Sequence, residues 1–143
     1  MASVCKLYRG DKPQLIQPET WTLVIFERVI SNDRSMARQL SLIMPPFDGD
    51  FTWARNLRWA AIDIPDGDTR PRQFMSRFIR DPYGIRDDTG ADDRTATPGR
   101  SWQTVTWLFA GQSNQPVGVE VWHDHHEPWP LEHAQFVGST RDY

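Results

Sequence analysis

The sequence predicts an all-β fold, an antiparallel β-sandwich preceded by an extended N-terminal arm. Short runs rich in β-branched and aromatic residues alternate with clusters of Gly, Pro, Asn and Asp, which is typical of strands joined by turns. Within the longer runs, side-chain character alternates with the period of two that a strand requires. The chain has 143 residues, which is the size of one domain. Only residues 34–40 suggest a helical turn.

Residues 1–19 are predicted to form the arm, and residues 20–143 the sandwich domain. The arm mixes charged residues with Gly10, Pro13 and Pro18 and shows little periodicity. A disordered tail is one interpretation, and an arm that docks on a partner is the other. The apolar side chains assigned to docking are Leu7, Tyr8, Leu15 and Ile16.

Seven strand-like runs are predicted in the domain, separated by turn-rich breaks. They are 21–30, 39–44, 50–64, 72–80, 101–110, 117–124 and 131–138. The longest break, 87–99, contains four aspartates between positions 87 and 93. Because these carboxylates repel one another, the break is predicted to be an exposed loop.

The tryptophans favour a contact between subunits. A two-sheet sandwich buries one face of each sheet, yet several runs are apolar on both faces. In 117–124, for example, valines occupy one face and Trp122 the other. Since no predicted helix would cover these second faces, we expect Trp59, Trp107 and Trp122 to form a subunit interface. The 14 Arg against 2 Lys fit an interface in which guanidinium groups stack on aromatic rings, although codon usage is an alternative explanation.

The composition also limits the partners. The net charge is −3, so no overall basic field would attract nucleic acid or an anionic membrane surface. No apolar run approaches the ~18 residues of a membrane span, and the N-terminus lacks the pattern of a cleavable signal peptide. The single cysteine, Cys5, excludes an intrachain disulfide. We therefore expect synthesis in a cytosol, with neither nucleic acid nor membrane as a partner.

Few residues suggest chemistry at a site. His123 and His125 would share one face of a strand, a spacing suited to zinc or nickel, but no second ligand cluster accompanies them. Trp129, between two prolines, is the best candidate for stacking on a sugar ring, although an aromatic covering the end of the sandwich is the favoured interpretation. No nucleophile motif or phosphate-binding loop is found. The sequence therefore predicts a protein that is not an enzyme and has neither metal nor cofactor.

The strand order and three short segments resemble the globular heads of the tumour-necrosis-factor and complement type. Residues 49–53 are similar to the second element of that pattern, 117–121 to its alternating valine strand, and 136–138 to its closing strand. The resemblance covers about residues 20–140 and implies a jelly roll that forms homotrimers. It departs at Trp53, where the family usually has a smaller residue, and at the long break 87–99.

Small jelly-roll trimers of this kind also decorate the capsids of tailed bacteriophages. The resemblance therefore implies a virion structural protein that stabilises a capsid as a homotrimer. Its partner would be the major capsid protein, and its location the capsid surface after synthesis in the host cytoplasm. One alternative is a carbohydrate- or receptor-binding module of a phage fibre or tail. Another is a small metal-dependent enzyme on a cupin-like jelly roll.

Overall fold

The computed structural model describes residues 2–61, 72–96 and 102–141. Across these residues the strands form two antiparallel sheets that pack face to face. The first sheet contains β1 (Ala2–Arg9), β2 (Gln14–Ile16), β4 (Arg28–Asn32), β7 (Gly49–Trp59), β10 (Trp102–Gly111) and β12 (Trp129–Arg141). The second sheet contains β3 (Thr22–Leu23), β5 (Ala37–Arg38), β6 (Leu42–Ile43), β8 (Arg72–Arg80), β9 (Asp87–Ala96) and β11 (Val117–His123). The predicted all-β sandwich is confirmed.

The strand orders define the edges of the two sheets. The first sheet has the order β10-β7-β12-β1-β4, with β2 also paired to β12. The second has the order β5-β6-β11-β8-β9, with β3 also paired to β11. The predicted helical turn is reduced to a short 3-10 turn at Asp33–Ser35. Within the described ranges, no helix is long and apolar enough to cross a membrane.

Aromatic rings form the centre of the core. The fully buried Trp53 stacks on Phe51, Phe109 and Phe136, with ring centroids 5.4, 5.1 and 5.9 Å away. Phe78 of the second sheet contacts Phe109 and Phe136, so the same cluster joins the two sheets. A few large rings therefore fill the space that many aliphatic side chains fill in a core of ordinary composition.

A glycine makes room for Trp53. Gly138 lies directly opposite Trp53 in the pairing of β12 with β7. A Cβ on Gly138 would approach Cζ3 of Trp53 to 2.8 Å, closer than side-chain carbons pack. The large residue at position 53, where the sequence departs from the family it resembles, is thus accommodated by the lack of a side chain at position 138.

A charged side chain also crosses the core. Arg55 is 2 % exposed, and its Nε donates a hydrogen bond of 2.7 Å to Oγ of Ser76 on the opposite sheet. Its Nη2 donates to the Ser76 carbonyl at 3.2 Å, and the guanidinium lies 4.4 Å from the Phe78 ring centroid. These contacts compensate part of the desolvation cost of the buried charge.

The N-terminal residues assigned to a docking arm belong instead to the first sheet. β1 pairs with β12 on one side and with β4 on the other, and β2 pairs with β12. Cys5, Leu7 and Ile16 are fully buried in the core. The alternation of buried Ser3, Cys5 and Leu7 with more exposed neighbours is the strand signal, and the small size of the first two made it weak.

Two further segments differ from the predicted pattern. The acidic break predicted at 87–99 is largely a strand, since Asp87–Ala96 forms β9 and pairs along β8; residues 97–99 lie outside the described residues. At the start of β9, Asp87 forms a 2.6 Å ion pair with Arg80 of β8. The run predicted at 21–30 is divided, because β3 joins the second sheet and β4 the first.

One carboxylate organises the turn between β1 and β2. Oε1 of Glu27 accepts hydrogen bonds from the backbone N–H groups of Gly10, Asp11 and Lys12 at 3.0, 3.1 and 3.2 Å. Arg9 lies 3.6 Å from the same oxygen. The bond from Lys12 contributes most to lowering the pKa of Glu27 below its ordinary value of 4.5.

We expect Glu27→Gln to lower the melting temperature near neutral pH. The neutral amide oxygen would accept weaker hydrogen bonds from these N–H groups than the charged carboxylate does. A carboxylate with a depressed folded-state pKa stabilises the fold above its unfolded-state pKa, and this contribution is lost as the pH falls through the folded-state value. The difference in melting temperature between wild type and variant should therefore shrink below about pH 4.5. Thermal unfolding followed by circular dichroism at several pH values measures this difference in melting temperature. A difference that stays constant with pH would contradict the assignment.

Candidate association surface

The outer face of the first sheet has an uncharged central area on β10, β7 and β12, beside which Lys6 of β1 lies opposite Val137 of β12. Strand alternation and cross-strand register place nine side chains of its three adjacent strands β10, β7 and β12 on this central area. They are Thr104, Thr106, Leu108, Thr52, Ala54, Asn56, Gln135, Val137 and Ser139. On these strands charged groups lie towards the ends, with Asp50 and Arg141 at one end and Arg58 and Glu132 at the other. Depletion of charge is a property of the centres of protein interfaces.

Large apolar side chains are exposed at both edges of this sheet. On the β10 edge, Trp102 and Leu108 are 47 % and 68 % exposed. On the opposite edge, Val29 and Ile30 of β4 are 37 % and 51 % exposed. Leu108 also borders a groove of about 390 Å³, to which Asp50, Ser139 and Arg141 contribute. The sheet thus has exposed apolar side chains at two different edges, and the uncharged area on β10, β7 and β12 adjoins the β10 edge.

A row of aromatic rings, flanked by an arginine at each end, crosses the face near one end. The Arg58 guanidinium lies 5.2 Å from the Trp102 ring, and the ring of His133 lies 5.6 Å from that of Trp102. Tyr8 follows, 5.8 Å from His133, and Arg28 lies 4.8 Å over the Tyr8 ring. These contacts join β10, β7, β12, β1 and β4. Because these contacts restrict the side chains within the subunit, association would cost less side-chain entropy.

Of the three predicted interface tryptophans, Trp59 lies in the core. It is 2 % exposed and packs edge-on against Phe74 and His123, with ring centroids 4.7 and 5.8 Å away. Its side chain therefore offers no surface to another subunit. Trp107 is 53 % exposed at the β10 edge, opposite Trp53 in the register of β10 with β7, and remains available for contact.

Trp122 lies on the outer face of the second sheet and is partly buried. That face is partly covered by groups of the same subunit. Glu120, two residues before Trp122, is 3 % exposed and is bound by Arg77 and Arg86. The Arg77 guanidinium lies 4.0 Å from the Trp21 ring. Glu120 on this side of β11 is thus covered without a neighbouring subunit, whereas Trp122 stays partly exposed.

The four residues predicted to dock on a partner are divided between core and surface. Leu7 and Ile16 are fully buried, Tyr8 belongs to the cross-strand row, and Leu15 is 57 % exposed. Only Tyr8 and Leu15 are therefore placed where another molecule would meet them.

The predicted metal pair is not formed as expected. Nε2 of His123 lies 2.7 Å from the carbonyl oxygen of Ile16, and Nδ1 of His123 accepts the backbone N–H of His125 at 3.1 Å. Burial lowers the pKa of His123 below its ordinary value. The neutral ring therefore uses both nitrogens within the fold, donating from Nε2 and accepting at Nδ1. His123 is a structural residue.

Trp129, the predicted stacking residue, covers the end of the core. Its indole N–H donates to the carbonyl oxygen of Ala60 at 3.1 Å, and its ring meets that of His125 edge-on at 4.5 Å. The ring is partly buried and packs against the core cluster. This is the interpretation that the sequence favoured over sugar binding.

Cys5 has no role as a nucleophile at neutral pH. The thiol is fully buried, and burial is the main reason that its pKa is raised to about 11. The reactive form of cysteine is the thiolate, which this environment disfavours.

No protein-family model matches the sequence, and no curated protein matches it. Solved structures do match. The globular domain of the zebrafish complement 1qA protein has a TM-score of 0.72 at 10 % identity, covering 99 % of this chain and 100 % of that one. Murine APRIL at pH 5.0 has a TM-score of 0.70 at 11 % identity, with coverage of 99 % and 100 %. Eiger TNF from S. frugiperda has 0.65 at 5 % identity, with coverage of 99 % and 94 %.

The fold is a C1q/TNF-like jelly roll. The fold that the sequence resemblance implied is thereby confirmed over nearly the whole chain, including the residues assigned to an arm. At these identities the likeness concerns the fold alone. The jelly-roll fold is compatible with a trimeric structural or binding module.

Sequence reasoning did not identify the cross-strand row as a unit. Bringing Arg58, His133 and Tyr8 together requires the register of β7, β12 and β1, which the alternation within a single strand does not contain.

Proposed function

We propose that this chain is a non-enzymatic structural protein that associates as a homotrimer and stabilises a viral capsid by binding to its surface. The observation that carries the self-association is the outer face of the first sheet, where the middle of β10, β7 and β12 is uncharged and Trp102 and Leu108 are exposed at the β10 edge. The C1q/TNF-like jelly roll supports a trimer, since the family that the sequence resembles forms trimers.

The two borders of this face favour a ring over a simple pair. A two-fold dimer brings the same patch of both subunits together, whereas a cyclic trimer joins two different patches of each subunit. Here the β10 edge presents Trp102 and Leu108, and the β4 edge presents Val29 and Ile30. A closed ring of three subunits would cover both edges of every subunit.

Association should be tested by sedimentation velocity over a wide range of protein concentrations. We expect the wild type to sediment as a trimer, and Leu108→Glu to raise the dissociation constant by roughly a hundredfold or more, because an unpaired carboxylate would be buried at each contact. Ile85→Glu is the matched control, since Ile85 is 71 % exposed in the connection between β8 and β9 of the second sheet. A wild-type monomer at every concentration would overturn the trimer.

Mass action would explain how binding stabilises the capsid. A protein that binds the assembled shell, and not its dissociated subunits, lowers the free energy of the assembled state by the binding free energy. Three copies in one ring would bind a symmetric lattice more tightly than one copy, because the later contacts form at a high effective concentration. The resemblance to capsid decoration proteins supports this partner and this location at the virion surface.

The capsid proposal is tested with purified particles. We expect the protein to co-sediment with assembled shells at a fixed copy number, to raise their disassembly temperature, and to bind free capsid subunits weakly. Absence from particles, together with an intact trimer in solution, would contradict the capsid role and leave the association in place.

A further inference from the structure

The connection between β11 and β12 gathers three metal-ligating side chains outside the association surface. His125, His126 and Glu127 each offer a ligand atom, and these atoms all lie within 4.8 Å of one another. The two imidazole centroids are 4.4 Å apart, and Nε2 of His126 lies 3.7 Å from Oε1 of Glu127. The three residues are consecutive, so one short connection places all three ligand atoms.

One of the three ligands is held in place by the core. His125 is 7 % exposed, its backbone N–H donates to Nδ1 of His123 at 3.1 Å, and its ring packs edge-on against Trp129. Trp129 is itself tied to Ala60 through its indole N–H. The position of His125 is therefore fixed by the same contacts that make His123 a structural residue.

The other two ligands can adjust. The side chains of His126 and Glu127 are 71 % and 67 % exposed, so solvent rather than protein surrounds them. Zinc–ligand bonds are about 2.0–2.2 Å long, which requires ligand atoms closer together than the largest separation here. Rotation of these two exposed side chains towards His125 would close that separation without a change in the core.

We propose that His125, His126 and Glu127 bind a divalent transition-metal ion of the zinc or nickel type. Two imidazole nitrogens and one carboxylate oxygen form a donor set that suits such ions, whereas calcium and magnesium prefer sites made of oxygen ligands. Three protein ligands leave at least one coordination position for water. The bound ion would join the exposed turn at 126–127 to the ordered end of the core at His125.

Isothermal titration of the full chain, prepared without a histidine tag and freed of metal by a chelator, tests the site. We expect one equivalent of Zn²⁺ to bind per chain. At a free Zn²⁺ concentration about a hundred times the dissociation constant, the melting temperature should rise by roughly 5–10 °C. His126→Ala and Glu127→Gln should each weaken binding about tenfold or more, and their high exposure allows the fold to persist.

His133→Gln is the matched control, since it removes an imidazole that lies between Tyr8 and Trp102, outside the three ligand residues, and should leave Zn²⁺ binding unchanged. Leu108→Glu should also bind one equivalent, which separates this site from the association surface. Absence of Zn²⁺ and Ni²⁺ binding would overturn the proposal. Binding that survives both His126→Ala and Glu127→Gln, or a preference for Ca²⁺, would overturn it equally.

Discussion

Trp53→Ala is expected to lower the free energy of unfolding by about 3–5 kcal/mol, the range for removing a large buried aromatic side chain. Trp53 is fully buried and stacks on three phenylalanine rings, so its loss leaves a cavity in the middle of the aromatic cluster. Its indole N–H also donates to the Phe109 carbonyl at 3.2 Å, and the variant would leave that acceptor with one bond fewer.

The control for this prediction is provided by the register. Trp107 lies directly opposite Trp53 on β10, but it is 53 % exposed. Trp107→Ala should cost about 1 kcal/mol, because much of its ring already contacts solvent. Urea unfolding of both variants gives the comparison, with protein concentration held constant because association adds to apparent stability. Equal losses for the two tryptophans would contradict the central role of Trp53.

Glu120→Met is expected to cost about 2–4 kcal/mol. Oε1 of Glu120 accepts two hydrogen bonds from Arg77, at 3.0 Å from Nε and 2.7 Å from Nη2, and Oε2 lies 2.8 Å from Nη2 of Arg86. Glu120 is 3 % exposed, and Arg77 is 14 % exposed at its side chain. Removing the carboxylate leaves the Arg77 charge in a partly dry site. Arg86 contributes less, since its side chain is 48 % exposed and solvent screens it.

A double-mutant cycle separates the ion pair from the packing around it. Arg77→Met combined with Glu120→Met should cost less than the two single substitutions added together, because neither charge is then left without its partner. Denaturant unfolding of the wild type and the three variants measures the coupling. Simple additivity of the two losses would show that the ion pair contributes little, and that the effect of Glu120→Met is one of packing.

Sequence predicts several strands well. The run predicted at 72–80 is β8, and those at 101–110 and 117–124 match β10 and β11 to within one residue. The run predicted at 50–64 is found as β7, but that strand ends at Trp59, and residues 62–64 lie outside the described residues. β1 was missed because Ser3 and Cys5, which occupy its buried face, are small and only weakly apolar. β9 was missed because aspartate has a low strand propensity. In the structure, pairing with β8 outweighs this propensity.

The candidate sites were less predictable for a geometric reason. The alternation along one strand indicates which of its residues share a face. It does not indicate which residues of other strands lie beside them. Trp59 and Trp107 share the inward-facing alternation of their strands, yet one ends in the core and the other at an edge. The burial of His125 could not be predicted for the same reason, because it depends on the contact with Trp129 and on the hydrogen bond to His123.

The position of β12 has a consequence for how the protein folds during synthesis. β12 is the last of the described strands in chain order, yet it pairs with β1, β2 and β7, and Ala2 lies opposite Arg141. The first sheet therefore cannot close until the ribosome has released its final strand. Contacts between residues so far apart in sequence make folding slow. Until then the edges of β1 and β7 that later pair with β12 have unpaired backbone groups, and such edges are where strands of different chains pair.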